Sequence, residues 1–320
     1  MTNELVNEPV NEPVNAPVND SVTDDTAPRR RVGVMFDRDR RPEELAGYAR
    51  AVEEAGADDL WVVEDLGWAG SIGSAALALA ATERLRVGIG IAPAPLRNPA
   101  LLAMELATLA RVFPGRLVAG VGHGAQPWMA QVGAASPTPL ALLEETITVV
   151  RGLLRGETTT FDGRTVHIDG VRLVHPPAEA PPVVSGVVRP RSLELSGRVA
   201  DGTVMAEGQG PEAVAAALGH IGKGRAAAGA ARAHELIVFT HLCVADDPRH
   251  IATATAPVRD EYSGWLGVPR DEVFLAAGDA ATAAGRVREL WEAGAETVVL
   301  RPVGEEPLAQ VRAALAVLER

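Results

Sequence analysis

The chain has 320 residues, of which 47% are hydrophobic and 22% are charged, and its formal net charge is −12. This composition is typical of a globular protein with one large core, which excludes a fibrous or wholly disordered chain. Because an acidic surface repels phosphate backbones and anionic lipids, we expect binding neither to nucleic acid nor to membranes.

The only cysteine of the chain, Cys243, stands in the apolar run HLCVA. A single cysteine excludes a disulfide framework within the chain, and its apolar neighbours favour a small buried side chain over a nucleophile. The acidic N-terminal stretch does not resemble a signal peptide, and no apolar run is long enough to span a bilayer. We therefore expect a cytoplasmic protein.

The first 28 residues differ in composition from the rest of the chain. They repeat a four-residue unit, V-N-E/A-P, and carry six acidic and no basic residues, so they supply −6 of the net charge. Proline at this density prevents a helix or the interior of a sheet. We predict a disordered acidic tail over residues 1–28 and a single domain over residues 29–320.

From residue 31 onward, short apolar strands alternate with helical stretches whose limits are marked by proline and glycine. Eight strands are predicted: RVGVMF (31–36), DLWVVED (59–65), LRVGIGIA (85–92), GRLVAGVGHG (115–124), PPVVSG (181–186), DGTVMAE (201–207), ELIVFTHLCVA (235–245) and AETVVLRP (295–302). This alternation predicts an α/β fold, a (β/α)8 TIM barrel, with a doubly wound open sheet as the alternative.

One segment interrupts the alternation after the long helix predicted over Leu140 to Leu154. Residues 156–174 carry Asp-Gly pairs at 162–163 and at 169–170 around a run of alternating polarity. Asp-Gly pairs beside such a run are typical of hairpin turns, so we predict a β-hairpin insertion after the fourth helix.

In a barrel of this kind, the active site lies at the C-terminal ends of the strands. There we find polar or glycine interruptions after apolar runs: Asp37, Glu64-Asp65, Gly90-Ile91, Gly122-His123-Gly124, Ser185-Gly186, Glu207 and Arg301. The chain has no serine-nucleophile, zinc-protease or phosphate-loop motif, and its histidines are scattered, so we expect no metal. The match of GVGHGA (120–125) to a dinucleotide fingerprint is weak, because Pro127 stands where a helix should already run.

Several of these positions have a structural alternative. Glu64 and Asp65 could end a strand and cap the next helix, whereas Trp68 nearby favours a pocket that holds a planar ligand. His123 could be an ordinary turn histidine, but its place between two glycines at the barrel mouth favours a functional role.

At other positions the interpretation is purely structural. Asn98 directly precedes a proline and is a candidate helix N-cap, and Arg97 could cap or pair on the surface. Glu207 and Arg301 could form an ion pair across the barrel rim.

The motifs WVVED, RVGIGIA, RNPALLAMELATL, RLVAGVGHG, ETITVVRGLLRGET and PRSLELSGRVADG occur in a characteristic order. In this order the chain resembles the bacterial luciferase-like flavin and deazaflavin oxidoreductases over residues 31–320. Within that superfamily it is most similar to reductases that use the deazaflavin coenzyme F420, such as methylenetetrahydromethanopterin reductase. The resemblance implies F420 as the cofactor, with FMN as the alternative, and a homodimer.

The resemblance also implies which residues form the site. It places a non-prolyl cis peptide at Gly90-Ile91 and ring contacts at Glu64 and Asp65. Further cofactor contacts fall on His123, Gly124, Trp128, Gly186, Val187, Val188 and Arg189. His123 is the candidate acid or hydrogen-bond donor, and Glu64 is the second catalytic candidate, as a proton relay or as an anchor for the ring. On this hypothesis, the glycines beside His123 allow the cofactor to approach.

Two departures from the family bear on the substrate. Family members that oxidise sugar phosphates carry a glutamate where this chain has Ala125 and a lysine near the position of Gln209, so we do not expect a sugar phosphate. We expect hydride transfer between F420 and an activated C=C or C=N bond of a small-molecule or peptide natural product, such as a dehydroamino acid. An FMN-dependent monooxygenase and a non-catalytic flavin- or ligand-binding barrel are the alternatives.

Overall fold

The computed structural model describes residues 30–318, so the tail predicted over residues 1–28 lies outside the described residues. Twelve strands occur in the described part: β1 (Arg31–Phe36), β2 (Asp59–Val62), β3 (Arg86–Ile89), β4 (Ala92–Pro93), β5 (Leu117–Gly122), β6 (Thr159–Asp162), β7 (His167–Val171), β8 (Val183–Gly186), β9 (Gly202–Met205), β10 (Glu235–Val244), β11 (Ala276–Gly278) and β12 (Thr297–Pro302).

Ten α-helices alternate with the strands in residues 30–318. They are α1 (Leu45–Glu54), α2 (Ser71–Ala81), α3 (Pro99–Val112), α4 (Gln126–Gln131), α5 (Pro139–Leu154), α6 (Pro190–Val199), α7 (Pro211–Ala227), α8 (Pro248–Leu266), α9 (Ala280–Glu292) and α10 (Pro307–Val317). Many begin with proline, whose missing N–H costs nothing in the first turn. The predicted cap of α3 is confirmed, because the Asn98 side chain accepts a hydrogen bond from the Ala100 N–H at 2.9 Å.

Eight of the strands close into a parallel ring. The order is β1-β2-β3-β5-β8-β9-β10-β12, and β12 pairs again with β1. All eight predicted barrel strands are present, so the (β/α)8 barrel is confirmed and the open sheet is wrong. Two short strands extend the ring: β4 pairs with β5 and β11 pairs with β10.

The predicted hairpin insertion is confirmed, but only one of its two predicted turns is a turn. β6 and β7 pair antiparallel, and the first Asp-Gly pair lies at their connection, where the Gly163 N–H donates to the Val166 carbonyl. The second pair, Asp169-Gly170, lies inside β7. Gly170 has a φ of +61°, and its N–H bonds to the Thr160 hydroxyl, beside a shift in strand register.

The barrel interior is filled by large side chains below the C-terminal ends of the strands. Trp61 is fully buried there and meets Phe239 edge to face, with ring centroids 5.3 Å apart. A Cβ at Gly88 would lie 2.4 Å from the Trp61 ring, so the glycine of β3 makes room for this tryptophan. The packed layer leaves open space only above it, at the mouth where the strands end.

No helix in residues 30–318 is long and apolar enough to cross a membrane.

Candidate active site

A pocket with a volume of about 940 Å³ opens at the C-terminal mouth of the barrel. All eleven residues that the resemblance implied for the site contribute to its wall: Glu64, Asp65, Gly90, Ile91, His123, Gly124, Trp128, Gly186, Val187, Val188 and Arg189. The structure thus brings the predicted residues together in one cavity, while the role of each remains a prediction.

A cis peptide joins Gly90 and Ile91 directly after β3, where the family resemblance implied one. The Ile91 side chain packs against the backbone of β5 and β8. A Cβ at Gly122 would lie 2.7 Å from the Ile91 side chain, and one at Gly186 would lie 2.5 Å from it. Gly122 and Gly186 therefore accommodate Ile91. The hypothesis that the glycines beside His123 allow the cofactor to approach is corrected for Gly122, which makes room for the Ile91 side chain.

His123 lies directly after β5, with its imidazole in the pocket wall. Its Nε2 is 3.2 Å from the Ser192 hydroxyl, and its Nδ1 has no well-aligned hydrogen-bond partner in residues 30–318. Burial lowers the pKa of His123, and the nearby Pro139 carbonyl offsets this only in part. The imidazole is therefore neutral near pH 7, with one N–H to donate and one lone pair to accept.

Glu64 lines the pocket, but its carboxylate is already occupied. Arg97 binds both carboxylate oxygens with its two terminal nitrogens, with Nη2 donating to Oε2 at 2.9 Å, and the backbone N–H of Ser71 also donates to Oε2 at 2.9 Å. Burial raises the pKa of Glu64, but the bonds from Arg97 and Ser71 outweigh it and hold the pKa below its ordinary value. An ionised, fully engaged carboxylate favours the anchoring alternative over the proton relay. It also makes Glu64 the residue that caps α2.

Asp65 belongs to a cluster at the rim of the pocket. It accepts a hydrogen bond from Arg38 at 2.6 Å, and the Arg38 guanidinium lies 4.7 Å from the centre of the Trp68 ring. The Trp68 and Trp128 rings are 6.2 Å apart. Trp128 lines the cavity, whereas Trp68 is 43% exposed and stands at the rim outside the wall.

One side of the pocket has a basic character. The segment from Gly186 to Arg189 leads from β8 into α6, and it lines the cavity together with Ser192. Arg189 is the N-cap of α6 and makes no side-chain cap, and the first turn holds no acidic residue. The N–H groups of that turn and the guanidinium of Arg189 together favour an anionic group.

The opposite side carries an ion-pair network. Arg301 donates to Asp37 at 2.7 Å and to Glu207 at 3.1 Å, so the predicted pairing of Glu207 with Arg301 is confirmed. Burial raises the pKa of Glu207, but the charge of Arg301, its hydrogen bond and a backbone hydrogen bond work against burial, and the pKa lies below its ordinary value.

Three pocket residues on this side, with one residue beside them, escaped the sequence analysis. Phe239, Tyr262 and Trp265 line the cavity, and the His241 ring stands edge-on to Tyr262 with centroids 5.1 Å apart. Phe239 and His241 are two residues apart in the apolar strand β10, and Tyr262 and Trp265 are three residues apart on α8. Both spacings are those of ordinary core packing. The only available signal was the histidine inside an apolar strand.

Among the described residues, no group of three or more histidine, cysteine or acidic side chains is arranged to hold a metal ion.

The sequence model of the luciferase-like monooxygenase family matches residues 23–314. An F420-dependent glucose-6-phosphate dehydrogenase from Nakamurella multipartita is 32% identical over 53% of this chain and 54% of its own length. A 5,10-methylenetetrahydromethanopterin reductase from Methanolobus tindarius is 28% identical over 50% and 49%. The chain therefore spans about half the length of these curated relatives.

Solved structures match the fold over nearly the whole chain. An F420-dependent secondary alcohol dehydrogenase, in complex with an F420-acetone adduct, superimposes with a TM-score of 0.80 at 20% identity and covers 91% of this chain and 100% of its own. The oxygenating constituent of 3,6-diketocamphane monooxygenase from Pseudomonas putida, in complex with FMN, gives 0.70 at 16% identity, with 91% and 98% covered. At these identities the similarity shows the fold.

Proposed function

Because the chain belongs to the luciferase-like monooxygenase family, we propose that it is an F420-dependent oxidoreductase that reduces an activated C=C or C=N bond of a small molecule. One observation carries the proposal: a single cavity at the barrel mouth joins the Gly90-Ile91 peptide, His123 and the basic start of α6. The F420-dependent relatives support deazaflavin as the cofactor over FMN.

The pocket fits an elongated cofactor with a planar ring and an anionic tail. The ring would rest against Gly90 and Ile91, near His123, and the tail would lie along Gly186 to Arg189 toward the first turn of α6. When bound, F420 would supply a hydride from C5 of its ring. About 940 Å³ leaves room for a substrate beside the ring.

The residues of the chain supply orientation and a hydrogen bond. Ser192 orients the His123 ring through Nε2, and the Nδ1 atom is buried. A neutral imidazole donates a hydrogen bond or shuttles a proton without carrying charge into the pocket. Glu64, held by Arg97 and Ser71, keeps the segment after β2 in place beside the ring position.

The ion pairs of the pocket support the expectation that a sugar phosphate is not the substrate. Arg38 is paired with Asp65, and Arg301 with both Asp37 and Glu207. Neither guanidinium is left uncompensated to bind a phosphate dianion. We propose instead a substrate without a phosphate group, and a natural-product intermediate such as a dehydroamino acid remains one candidate.

The FMN-dependent monooxygenase is the second candidate, because a solved relative in fold carries FMN. Titration of the purified protein with F420 and, separately, with FMN distinguishes the two by the change in cofactor fluorescence. We expect micromolar or tighter binding of F420 and at least about tenfold weaker binding of FMN, a difference of about 1.4 kcal/mol. Preferential binding of FMN would favour the monooxygenase, and binding of neither would favour the non-catalytic barrel.

We further propose a homodimer, because large apolar side chains remain exposed on two adjacent helices. Leu77 on α2 is 53% exposed, and Leu101, Met104 and Val112 form a stripe along α3 with exposures of 49% to 63%. Exposed apolar patches of this kind mark interaction surfaces. Light scattering after gel filtration should give twice the chain mass for the wild type and the chain mass for Met104→Glu. Because Cys243 is buried and unpaired, we also propose a cytoplasmic location.

A further inference from the structure

The half of the pocket formed by β9, β10, β12 and α8 differs in charge from the half that faces α6. Asp37 and Glu207 each carry one negative charge, and Arg301, which bonds to both, carries one positive charge. This wall therefore has an excess of one negative charge, and Glu261 adds another at the mouth. The only lysine of the chain, Lys223, lies on α7 and does not contribute to the pocket wall.

A buried histidine without a full set of partners faces this half. His241 is 2% exposed, and its Nδ1 has no hydrogen-bond partner in the described chain. Side chains two residues apart on a strand point to the same face, and Phe239 on β10 points into the barrel and lines the pocket. His241 is the next inward-facing residue toward the mouth, in register with Arg301 of β12, and it lies beside the residues that line the pocket.

The chemistry of this histidine is that of a neutral acceptor. Burial lowers the pKa of His241 to about 4, although the Glu207 carboxylate works against that shift. A buried imidazole nitrogen without a partner costs free energy unless a ligand or water completes its hydrogen bonding. His241 packs against Tyr262, so this unpaired atom lies next to the pocket wall, behind the residues that line it.

Aromatic rings surround the same position. Phe239, Tyr262 and Trp265 line the cavity, and the Tyr262 and Trp265 rings meet edge to face with centroids 5.9 Å apart. The Glu207 carboxylate adjoins the Tyr262 hydroxyl, whose pKa burial and this negative charge raise above the ordinary value. Ring faces beside a carboxylate are a favourable environment for a cation, because the ring quadrupole and the carboxylate both attract positive charge.

We propose that Glu207 and Tyr262, with His241 behind them, form a subsite for a positively charged nitrogen of the substrate, such as a protonated amine. An ammonium group donates hydrogen bonds, and this wall offers a carboxylate oxygen and a phenolic oxygen as acceptors between the rings of Phe239 and Trp265. As a subsite for the substrate it rests on the function proposed above and narrows it to amine-bearing substrates. Its cation preference is a property of the protein alone.

Three probes of one shape test the subsite in the cofactor-free protein. Calorimetric titrations with benzylamine, benzyl alcohol and benzoate at pH 7 compare a cation, a neutral molecule and an anion. We expect benzylamine to bind at least about tenfold more tightly than benzyl alcohol, as a charge-assisted hydrogen bond requires, whereas benzoate reports the anion-favouring half at α6. Equal affinities of benzylamine and benzyl alcohol, or weaker binding of benzylamine, would overturn the proposal.

Substitutions test whether the preference for the cation depends on the proposed residues. Glu207→Gln keeps the side-chain shape and an acceptor for Arg301 but removes the charge, and it should weaken benzylamine binding about tenfold. Tyr262→Phe keeps the ring and removes the hydroxyl, and it should weaken binding about threefold. The control, Glu212→Gln in the exposed first turn of α7, should leave the affinity unchanged. Benzyl alcohol should bind each folded variant as it binds the wild type.

The thermal midpoint shows that each variant is folded, and F420 titration in the same samples judges the proposed cofactor separately. Benzylamine preference without F420 binding would refute the proposed function and leave the cation subsite standing. F420 binding with no preference among the three probes, or with a preference that survives Glu207→Gln, would refute the subsite alone.

Discussion

The barrel has one arginine near each end that is held between two carboxylates. At the N-terminal end, Arg86 donates five hydrogen bonds, to Asp59, Glu235 and Thr297, and Asp59 is completely buried. At the C-terminal mouth, Arg301 donates two, one each to Asp37 and Glu207. The first network is saturated by the protein, whereas the second lines a pocket and retains capacity for a ligand. The same residue types thus serve stability at one end and recognition at the other.

The largest loss of stability should come from removing Arg86, the arginine of the saturated network. Arg86→Met removes the guanidinium between Asp59 and Glu235 and leaves Asp59 only the longer contact with Arg31, at 3.5 Å. Breaking a buried ion pair from one side costs about 3–5 kcal/mol, so we expect the free energy of unfolding to fall by that amount. Chemical denaturation measures the loss. A change below about 1 kcal/mol would mean that the network contributes little to stability.

The matched substitution at the barrel mouth should lower the free energy of unfolding by less than Arg86→Met does. In Arg301→Met, Asp37 and Glu207 lose two hydrogen bonds, whereas Asp59 and Glu235 lose four in Arg86→Met, and Glu207 lines the pocket. We expect the free energy of unfolding to fall by about 1–3 kcal/mol, as for isolated charged hydrogen bonds. A loss as large as that of Arg86→Met would remove the distinction between the two networks.

A third buried carboxylate sharpens the comparison, because its partners carry no charge. Glu145 on α5 accepts hydrogen bonds from the backbone N–H groups of Arg164, Thr165 and Val166, and it thereby holds the hairpin. Burial raises the pKa of Glu145, but these bonds and the Thr165 hydroxyl lower it to about 2. We expect Glu145→Gln to lower the free energy of unfolding by about 1–2 kcal/mol at pH 7.

The pH dependence of that difference has a defined sign. A depressed pKa stabilises the fold above the ordinary value of the carboxyl, and the stabilisation is lost as the pH falls through the folded-state pKa. The gap between wild type and Glu145→Gln should therefore be constant above about pH 5 and shrink toward pH 2. Denaturation curves at pH 7, 5 and 3 measure the gap, and a gap that grows with acidification would contradict the role given to Glu145.

The smallest effect should come from the hydrogen bond that orients His123. Ser192→Ala removes the partner of Nε2 but leaves the burial that lowers the pKa of the imidazole. We expect a loss of stability below about 1 kcal/mol and a pKa of His123 still under 6.5. NMR titration of the imidazole resonances measures the pKa directly, and a value above 6.5 in the wild type would contradict a neutral His123 at pH 7.

The sequence predicted the barrel and the position of its mouth because both depend on local patterns. Each apolar run ends at a polar or glycine residue, which is how Asp37, Glu207 and Arg301 were found. The side chains that complete the site come from distant segments. Arg97 reaches Glu64 across 33 residues, and Tyr262 reaches the wall from a helix whose spacing is that of ordinary packing.

The role of the glycines shows a second limit of the sequence. Between Gly120 and Gly124 the chain looks like a surface opened for a ligand. Gly122 instead faces the Ile91 side chain, and Gly124 has a φ of +67°, which only glycine adopts readily. The contact with Ile91 depends on the geometry of the segment after β3, which no local pattern specifies.

The central claim is that the two halves of the pocket bind opposite charges, and one crossed titration tests it. F420 fluorescence titrations of the wild type, Arg189→Ala and Glu207→Gln compare the half at α6 with the half at β9. We predict that Arg189→Ala weakens F420 binding about fivefold or more, because its anionic tail loses a charged partner. Glu207→Gln should change it by less than about twofold, because Glu207 lies in the other half of the pocket and substitutions at separate sites act nearly independently. Equal losses in the two variants, or a larger loss in Glu207→Gln, would contradict a pocket divided into a cofactor half and a substrate half.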